Sequence, residues 1–297
     1  MAIYKREDMP PIKQRSKFPL FLQIPSTLVI WSLVGFVLPW LIYSLFHSYI
    51  PGKGAVFIGL NNIISILFDF RLMQSVLKTI YYVGVGAFLE VFLGMIVALA
   101  LVNIIRNSII RFIVLLIFLI PMMLSEAIAA HVWLMLVTPQ GYINSILRFL
   151  GLPPVGWLSE QMGLTTLILA DVWQWASLPL LLIYSARIAI PIEMYEMAEL
   201  DKLSSWKIFR IITWPNIRYA VIVSLLLRII GMYTSIDKII LITYGGPGIA
   251  TETIGFYVFL QAFSYRNVGY AATLSFMTLI VAGIFSYLLW RKIMKEG

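Results

Sequence analysis

Six long apolar runs constrain this chain more than any other feature of its sequence. They cover residues 24–45, 73–102, 109–137, 163–188, 219–241 and 270–290. Each run is close to or above the ~20 residues that an α-helix needs to cross a bilayer. Because lipid offers backbone groups no hydrogen-bond partners, such spans must be helical. The sequence therefore predicts an all-α integral membrane protein with six transmembrane helices. We expect residues 1–297 to form a single membrane domain, with spans 2–6 as its core over residues 73–291.

The low number of charged residues agrees with a membrane protein, and their distribution predicts how the chain is oriented in the membrane. Only 12% of the residues are charged, whereas soluble proteins average about 25%. The net charge of +8 comes from basic residues spread over loops, so it indicates membrane topology rather than nucleic-acid binding. With the N-terminus inside, inner segments hold 15 Lys and Arg residues and outer segments hold 4. This asymmetry places both termini in the cytoplasm, with a basic N-tail over residues 1–22 and a first span that stays as a signal anchor.

Prolines and glycines predict where the helices are interrupted. Pro121 lies in the third apolar run and predicts a break there, and Pro179 lies in the fourth. The outer segments 47–71, 138–162 and 249–268 join the spans, and the first of them suits a short interfacial helix.

Several kinds of site are excluded by what the sequence lacks. It has no cysteine, so disulfides, thiolate metal sites and cysteine nucleophiles are impossible. Its two histidines, His47 and His131, are far apart, which makes a histidine metal site improbable. No Gly-x-x-x-x-Gly-Lys-Ser/Thr phosphate loop occurs, and the glycine cluster at residues 245–248 predicts a turn. We therefore expect no enzyme activity and no cofactor bound by this chain.

The loop between spans 4 and 5, residues 190–215, predicts a short cytoplasmic helix. Pro191 suits a first helical turn, and the three glutamates that follow favour the positive end of the helix dipole. Met194, Met197 and Ala198 are three and four residues apart, so they are expected to share one face. The pattern is typical of an amphipathic helix that contacts a partner protein. A helix lying on the membrane is less favoured, because interfacial helices prefer Lys and Arg.

This loop resembles the EAA loop of the permease subunits of ABC importers, the binding-protein-dependent uptake systems. The matching positions are Glu196, Met197 and Ala198, then Asp201, Ile212, Trp214 and Pro215. Lys202 stands where the family has a glycine, and Trp214 where it has a leucine. Either Lys202 adopts the left-handed conformation that glycine usually takes, at a cost of about 1 kcal/mol or more, or the bend is built differently.

Further phrases resemble the carbohydrate branch of that family, the maltose-type permeases. In chain order they are residues 57–62, 171–175, 243–247 and 251–253, Tyr257, and residues 262–263. The resemblance implies a type I importer of the cell membrane. Its partners would be a second related permease, two cytoplasmic ATPase subunits that bind ATP and Mg²⁺, and an extracytoplasmic sugar-binding protein. It also implies that the helix in residues 190–215 couples to the ATPase through Met194, Tyr195, Glu196, Met197, Ala198 and Asp201.

The resemblance also points to spans 4 and 5 for the substrate path. The candidate residues are Trp173, Trp175, Ser177, Met232, Tyr233 and Ser235, with His131 and Trp133 as weaker ones. Aromatic rings and hydroxyls at these positions suit a sugar, and Pro179 and Gly231 would loosen the helices nearby. The alternative is ordinary packing together with an aromatic belt at the membrane surface.

Ionisable residues inside the apolar runs leave a second function open. Glu90, Glu126, Asp171, Arg228 and Asp237 lie there, and a lone Asp or Arg at the centre of a span costs roughly 2.5–3.5 kcal/mol. We favour pairs between helices, or groups near the outer mouth for the two aspartates, over a proton relay. The alternatives to a sugar importer are thus a permease for another solute, such as a glycerol phosphodiester or a polyol, and a proton-coupled secondary transporter.

Overall fold

The computed structural model describes residues 18–105 and 107–296, so residues 1–17 of the predicted N-tail and Arg106 lie outside the described residues. Within these ranges the helices are α1 (Phe18–Leu45), α2 (Asn61–Leu67), α3 (Phe70–Asn103), α4 (Ser108–Met123), α5 (Glu126–Val137), α6 (Tyr142–Phe149), α7 (Gly163–Trp175), α8 (Ser177–Ile188), α9 (Ile192–Leu200), α10 (Ser205–Ile208), α11 (Trp214–Thr234), α12 (Ile254–Phe259) and α13 (Val268–Glu296). Two strands, β1 (His47–Ile50) and β2 (Gly54–Phe57), pair as an antiparallel hairpin. Three π-helical turns cover Phe209–Thr213, Ile239–Thr243 and Leu260–Ser264.

Short polar residues fix where several helices begin. Asp69 accepts a hydrogen bond from the backbone N–H of Leu72 at the start of α3, at 2.9 Å. Asn107, Ser125 and Thr253 accept in the same way at the starts of α4, α5 and α12. These side chains satisfy N–H donors that the first helical turn leaves without an internal partner.

The predicted apolar runs lie in helices that suit a membrane. Among the described residues, three helical stretches are long and apolar enough to cross one by themselves: Leu22–Leu45, Phe70–Asn103 and Ser205–Thr234. Two further pairs qualify jointly and are bent, α4 with α5–α6 by 102° and α7 with α8 by 42°. The sixth run lies in α13, whose apolar part is Val268–Ile284. A mainly helical chain with several candidate membrane helices is therefore confirmed.

The third run does not form one straight helix. The helix continues through Pro121 to Met123, and the chain then becomes extended at Leu124 and Ser125. The backbone N–H of Leu124 bonds to the carbonyl of Pro121, which closes α4, and Ser125 caps α5 in a new direction. The predicted break is therefore real but lies three residues later, and α5 turns away instead of continuing α4.

The fifth run also differs from the prediction of a helix over residues 219–241. The helix α11 begins at Trp214 and ends at Thr234, where Ser235 has extended backbone with ψ of 129°. The π-helical turn Ile239–Thr243 follows after a short gap. This break brings the side chain of Lys238 into the protein interior, where it is 1% exposed.

Helix α3 lies at the centre of the packing. Its buried face repeats every three or four residues: Ser75, Thr79, Tyr82, Gly86, Glu90, Gly94, Ala98 and Leu101. Such spacing places these side chains on one stripe, and small residues let neighbouring membrane helices approach closely. At Gly94 the approach is so close that an added Cβ would lie 2.7 Å from the backbone nitrogen of Leu180. α3 therefore contacts the junction of α7 and α8 at backbone distance.

Polar contacts hold the segment before α13, and the first turn of α13, against the N-terminal end of α3. Arg71 donates two hydrogen bonds to Glu252 Oε2, at 2.6 and 3.2 Å, and Glu252 also accepts from the hydroxyl of Ser75. The carboxylate of Asp69 accepts from the hydroxyls of Tyr257 and Tyr270, at 2.6 and 2.7 Å. Burial opposes ionisation of Asp69, but hydrogen bonds from Tyr257, from the backbone of Leu72 and from Tyr270 outweigh it and lower the pKa of this carboxyl.

A short helix in residues 47–71 was predicted, and α2 is present there. The hairpin of β1 and β2 before it was not predicted, and neither was α6 in the second outer segment. The glycines at 52 and 54 have φ of 87° and 80°, which lets the chain reverse between the two strands.

Candidate functional site

Five ionisable side chains form one buried network, which we call the ion network: Glu90, Glu126, Asp171, Arg228 and Lys238. Arg228 on α11 donates to both carboxylate oxygens of Glu90 on α3 and, at 3.0 Å, to Asp171 on α7. Lys238 lies 2.5 Å from Asp171 and 2.5 Å from Glu126, which begins α5. The ion network therefore connects α3, α5, α7, α11 and the segment after α11.

Pairing explains how these charges are tolerated among apolar helices. The side chains of Glu90, Asp171, Arg228 and Lys238 are at most 5% exposed, whereas that of Glu126 is 24% exposed. Each of the three carboxylates contacts at least one of the two cations, and Asp171 contacts both. The preferred prediction, pairs between helices, is therefore confirmed for Glu90, Asp171, Arg228 and Glu126.

Trp175 links the ion network to the predicted substrate path. Its indole N–H donates to Glu126 at 2.8 Å, and the guanidinium carbon of Arg228 lies 4.7 Å from its ring centroid. Both contacts suit an aromatic ring, whose edge carries the N–H donor and whose face attracts a cation. The ring orientation is therefore fixed from two sides by charged groups.

Sequence reasoning missed Lys238 and included Asp237, its neighbour. Asp237 is exposed and belongs to none of the ion pairs between described residues. Lys238 lies inside the fifth apolar run, where a lysine is as costly as an arginine. The cost of burying a lysine there was the signal from which the sequence could have identified Lys238 as a member of the network. The proton-relay set Glu90, Glu126 and Asp237 is not brought together, because Asp237 lies outside the ion network.

The six predicted substrate-path residues lie in different environments. Trp173 is 38% exposed and meets Trp133 edge to face, with ring centroids 6.4 Å apart. Ser177 and Met232 are each 1% exposed, and Met232 packs against Gly86 of α3. Trp175, Tyr233 and Ser235 are half-buried. In this conformation Trp173 is thus the most accessible of the six, and His131 of α5 is exposed as well.

The predicted cytoplasmic helix is α9, and two of its residues hold it against the rest of the chain. Ala198 is 4% exposed and packs with Leu101 and Ile217 in one apolar cluster. The hydroxyl of Tyr195 lies 3.0 Å from that of Thr213. The guanidinium carbon of Arg187 lies 4.0 Å from the centroid of the Tyr195 ring. α9 is therefore fastened to α8 and to the start of α11.

The other predicted partner-contacting residues face away from the chain. Met194, Glu196, Met197 and Asp201 are exposed, and so are the apolar side chains of Ile192 and Leu200. Ala198 does not share the exposed face with the two methionines, contrary to the predicted grouping. The free surface of α9 therefore combines acidic and flexible apolar side chains, which suits a protein partner.

Lys202 adopts the left-handed conformation, with φ of 53°, so the first of the two alternatives for this bend is confirmed. The backbone N–H of Lys202 bonds to the carbonyl of Glu199, and that of Leu203 to the carbonyl of Ala198. This pair of bonds is a Schellman motif, which ends a helix and normally has glycine at the left-handed position. Leu203 packs in the same apolar cluster as Ala198, which accompanies the motif and holds the bend.

Among the residues that the structure describes, no group of three or more His, Cys, Asp or Glu side chains is arranged to hold a metal ion.

Comparisons with known proteins agree on one family. Residues 90–294 match the model of the binding-protein-dependent transport system inner membrane component family. The trehalose/maltose transport system permease protein MalF of Thermococcus litoralis is 35% identical over 225 residues, which cover 75% of this chain and 73% of that protein.

Solved structures show the same fold at lower sequence identity. A bacterial ABC transporter that imports the polysaccharide alginate has a chain with a TM-score of 0.80 and 18% identity, covering 94% of this chain and 96% of that one. The same kind of transporter in complex with a periplasmic protein that holds an alginate pentasaccharide gives a TM-score of 0.79 and 20% identity, covering 92% and 93%. This chain therefore belongs to the family of binding-protein-dependent transport system inner membrane components, the non-catalytic multi-pass permeases of ABC importers.

Proposed function

We propose that this chain is one permease subunit of an ATP-driven carbohydrate importer and forms half of its translocation path. The observation that carries the sugar assignment is the 35% identity to a trehalose/maltose permease over three quarters of the chain. A second, related permease would form the other half, and an extracytoplasmic binding protein would deliver the sugar. ATP and Mg²⁺ would be bound by two separate ATPase subunits, since this sequence has no phosphate loop.

We also propose six spans with both termini in the cytoplasm. Support comes from the excess of Lys and Arg, 15 against 4, in the segments that this topology places inside. The bent pairs α4–α5 and α7–α8 would each belong to one span, and α13 would be the sixth. In this orientation α9 lies in the cytoplasm, and the N-terminal end of α3 lies on the outer side.

α9 would act as the coupling helix that docks on the ATPase. Its exposed surface offers Glu196 for a charged contact and Met194 and Met197 for packing through a rotation. Tyr195 and Ala198 have a different role, because both are engaged with the permease itself. A movement of α9 on ATP binding would pass through these contacts to α3, α8 and α11, and so open the path to one side or the other.

Transport in proteoliposomes tests the function. The complete complex should take up the sugar when ATP is supplied and no ion gradient is present, and a proton ionophore should leave the rate unchanged. Uptake that needs a proton gradient and ignores ATP would support a secondary transporter instead. A panel of a disaccharide, a polyol and a glycerol phosphodiester, offered to the binding protein, separates the sugar assignment from the other solutes.

Removing the exposed contacts of α9 should separate the permease from its ATPase. We expect the double variant Glu196→Ala, Met197→Ala to lose most ATPase from the co-purified complex, because a charge and a packing side chain are removed at one surface. The matched control is Glu199→Ala, which removes one exposed glutamate of the same helix outside the predicted docking set. Co-purification and transport that both equal those of the unaltered protein would contradict docking at α9.

A further inference from the structure

Arg187 is a buried arginine at the cytoplasmic end of the permease, in the orientation proposed above. It lies in the last turn of α8 and is 7% exposed. A guanidinium stays charged at any physiological pH, so neighbouring groups must offset the hydration that it loses on burial. Among the ion pairs between described residues, none includes Arg187. The side chains that stabilise it are therefore uncharged.

Two uncharged side chains hold the guanidinium, and they come from different helices. Its Nη2 donates at 2.9 Å to the side-chain oxygen of Asn103, the last residue of α3. Its carbon lies 4.0 Å from the ring centroid of Tyr195 on α9, well within the reach of a cation–π contact. The C-terminal ends of α3 and α8 also carry partial negative charge, which favours a cation there. Arg187 thus joins α8, α3 and α9 at one point.

The contact between Arg187 and Tyr195 is directional, unlike the apolar contacts of α9. Ala198 packs by apolar surface, which has no preferred orientation and so lets neighbours slide. A cation–π contact needs the guanidinium over the face of the ring, and it is strongest where water is excluded. If α9 moved away from α8 alone, Arg187 would stay buried and lose the ring. A joint movement of α9, α8 and the end of α3 avoids that loss.

We propose that Arg187 is a positioning residue for energy coupling, which makes α9, α8 and the C-terminal end of α3 move as one body. This inference rests on the proposed function, in which α9 docks on the ATPase. It divides α9 between two tasks. The exposed face binds the ATPase, whereas the inward ring of Tyr195 passes the movement to Arg187. From there the movement reaches α3, the helix at the centre of the packing.

Sugar uptake per ATP hydrolysed tests this role. The complete complex, with both permeases, the ATPase subunits and the sugar-loaded binding protein, is reconstituted in proteoliposomes, and uptake and ATP hydrolysis are measured together. Arg187→Met keeps the length of the side chain and removes the cation, and water can replace it at the exposed Asn103. We expect the ATPase to co-purify in unaltered amount. Uptake per ATP should fall about tenfold, the factor that one desolvated cation–π contact contributes to an equilibrium.

Variants of Tyr195 identify the contact that carries the effect. Tyr195→Leu removes the ring and should lower uptake per ATP as Arg187→Met does, and the double variant should fall no further, because both changes break one contact. Tyr195→Phe keeps the ring and loses only the hydrogen bond to Thr213, so it should retain the ratio. Arg187→Lys should recover part of the ratio, since an ammonium is also attracted to the face of the ring.

A merely structural role of Arg187 would give a different result. Fewer folded complexes lower uptake and ATP hydrolysis in proportion, which leaves their ratio unchanged. The control Arg210→Met removes an exposed guanidinium and should also leave the ratio unchanged. An unaltered ratio in Arg187→Met, or loss of the ATPase from its complex, would overturn the proposal. Uptake that needs no ATP in the unaltered complex would instead contradict the proposed function, so the two failures are distinguishable.

Discussion

Lys238→Met is expected to lower the free energy of unfolding of the assembled protein by about 3–5 kcal/mol, the usual cost of removing one partner from a buried ion pair. Lys238 is 1% exposed and lies 2.5 Å from both Asp171 and Glu126. Without it, Glu126 loses its cation, and Asp171 keeps only Arg228. Thermal unfolding of the purified complex, followed by tryptophan fluorescence, measures the loss.

The same exchange at an exposed lysine is the control. Lys207 of α10 is exposed, so Lys207→Met should change the unfolding temperature little. Adding Glu126→Gln to Lys238→Met should recover part of the loss, because it removes the carboxylate that was left without a cation, and glutamine can still accept from Trp175. Equal unfolding temperatures for Lys238→Met and Lys207→Met would contradict a structural role for the ion network.

The cost of burying a charge could be predicted from the sequence, but the pairing of the charges could not. Glu90 and Arg228 are 138 residues apart, and Lys238 and Glu126 are 112 apart. Each lies in an apolar run, so hydropathy predicts that each needs a partner. The partners of Lys238 depend on the break after Thr234, where extended backbone at Ser235 redirects the chain. No local propensity predicts that break.

Local rules were most successful around α9. The proline, the glutamates and the helical spacing predicted a helix at the correct place. The departure from glycine at Lys202 left two alternatives for the bend, and the structure contains the strained, left-handed one. The inward contacts of Tyr195 and Ala198 could not be predicted, because they depend on where α8 and α11 lie relative to α9. Helical spacing shows which residues share a face of the helix, but the packing of neighbouring helices determines which face is buried.

The second large effect on stability is expected from a substitution at Gly94, where α3 lies in close contact with the α7–α8 junction. Gly94→Ala is expected to destabilise the protein by about 1–3 kcal/mol, the usual cost of overpacking a well-filled interior. The new Cβ would lie 2.7 Å from the backbone nitrogen of Leu180, 2.8 Å from the carbonyl oxygen of Ala176 and 2.8 Å from the Cβ of Pro179. Two of these atoms are backbone, so no side-chain rotation can relieve the clash, and α3 must move away from the α7–α8 junction.

The same substitution elsewhere on α3 should have the opposite effect on stability. A Cβ at Gly84 meets no atom within 4 Å, and alanine favours a helix over glycine by roughly 0.5–1 kcal/mol. We therefore expect Gly84→Ala to raise the unfolding temperature slightly and Gly94→Ala to lower it. Both glycines lie in one membrane helix, so the intrinsic gain in helix preference should be similar for the two variants. The difference between their unfolding temperatures therefore measures the clash at the contact with α8. A Gly94→Ala protein as stable as Gly84→Ala would mean that α3 and α8 are farther apart in the membrane than the backbone contact at Gly94 requires.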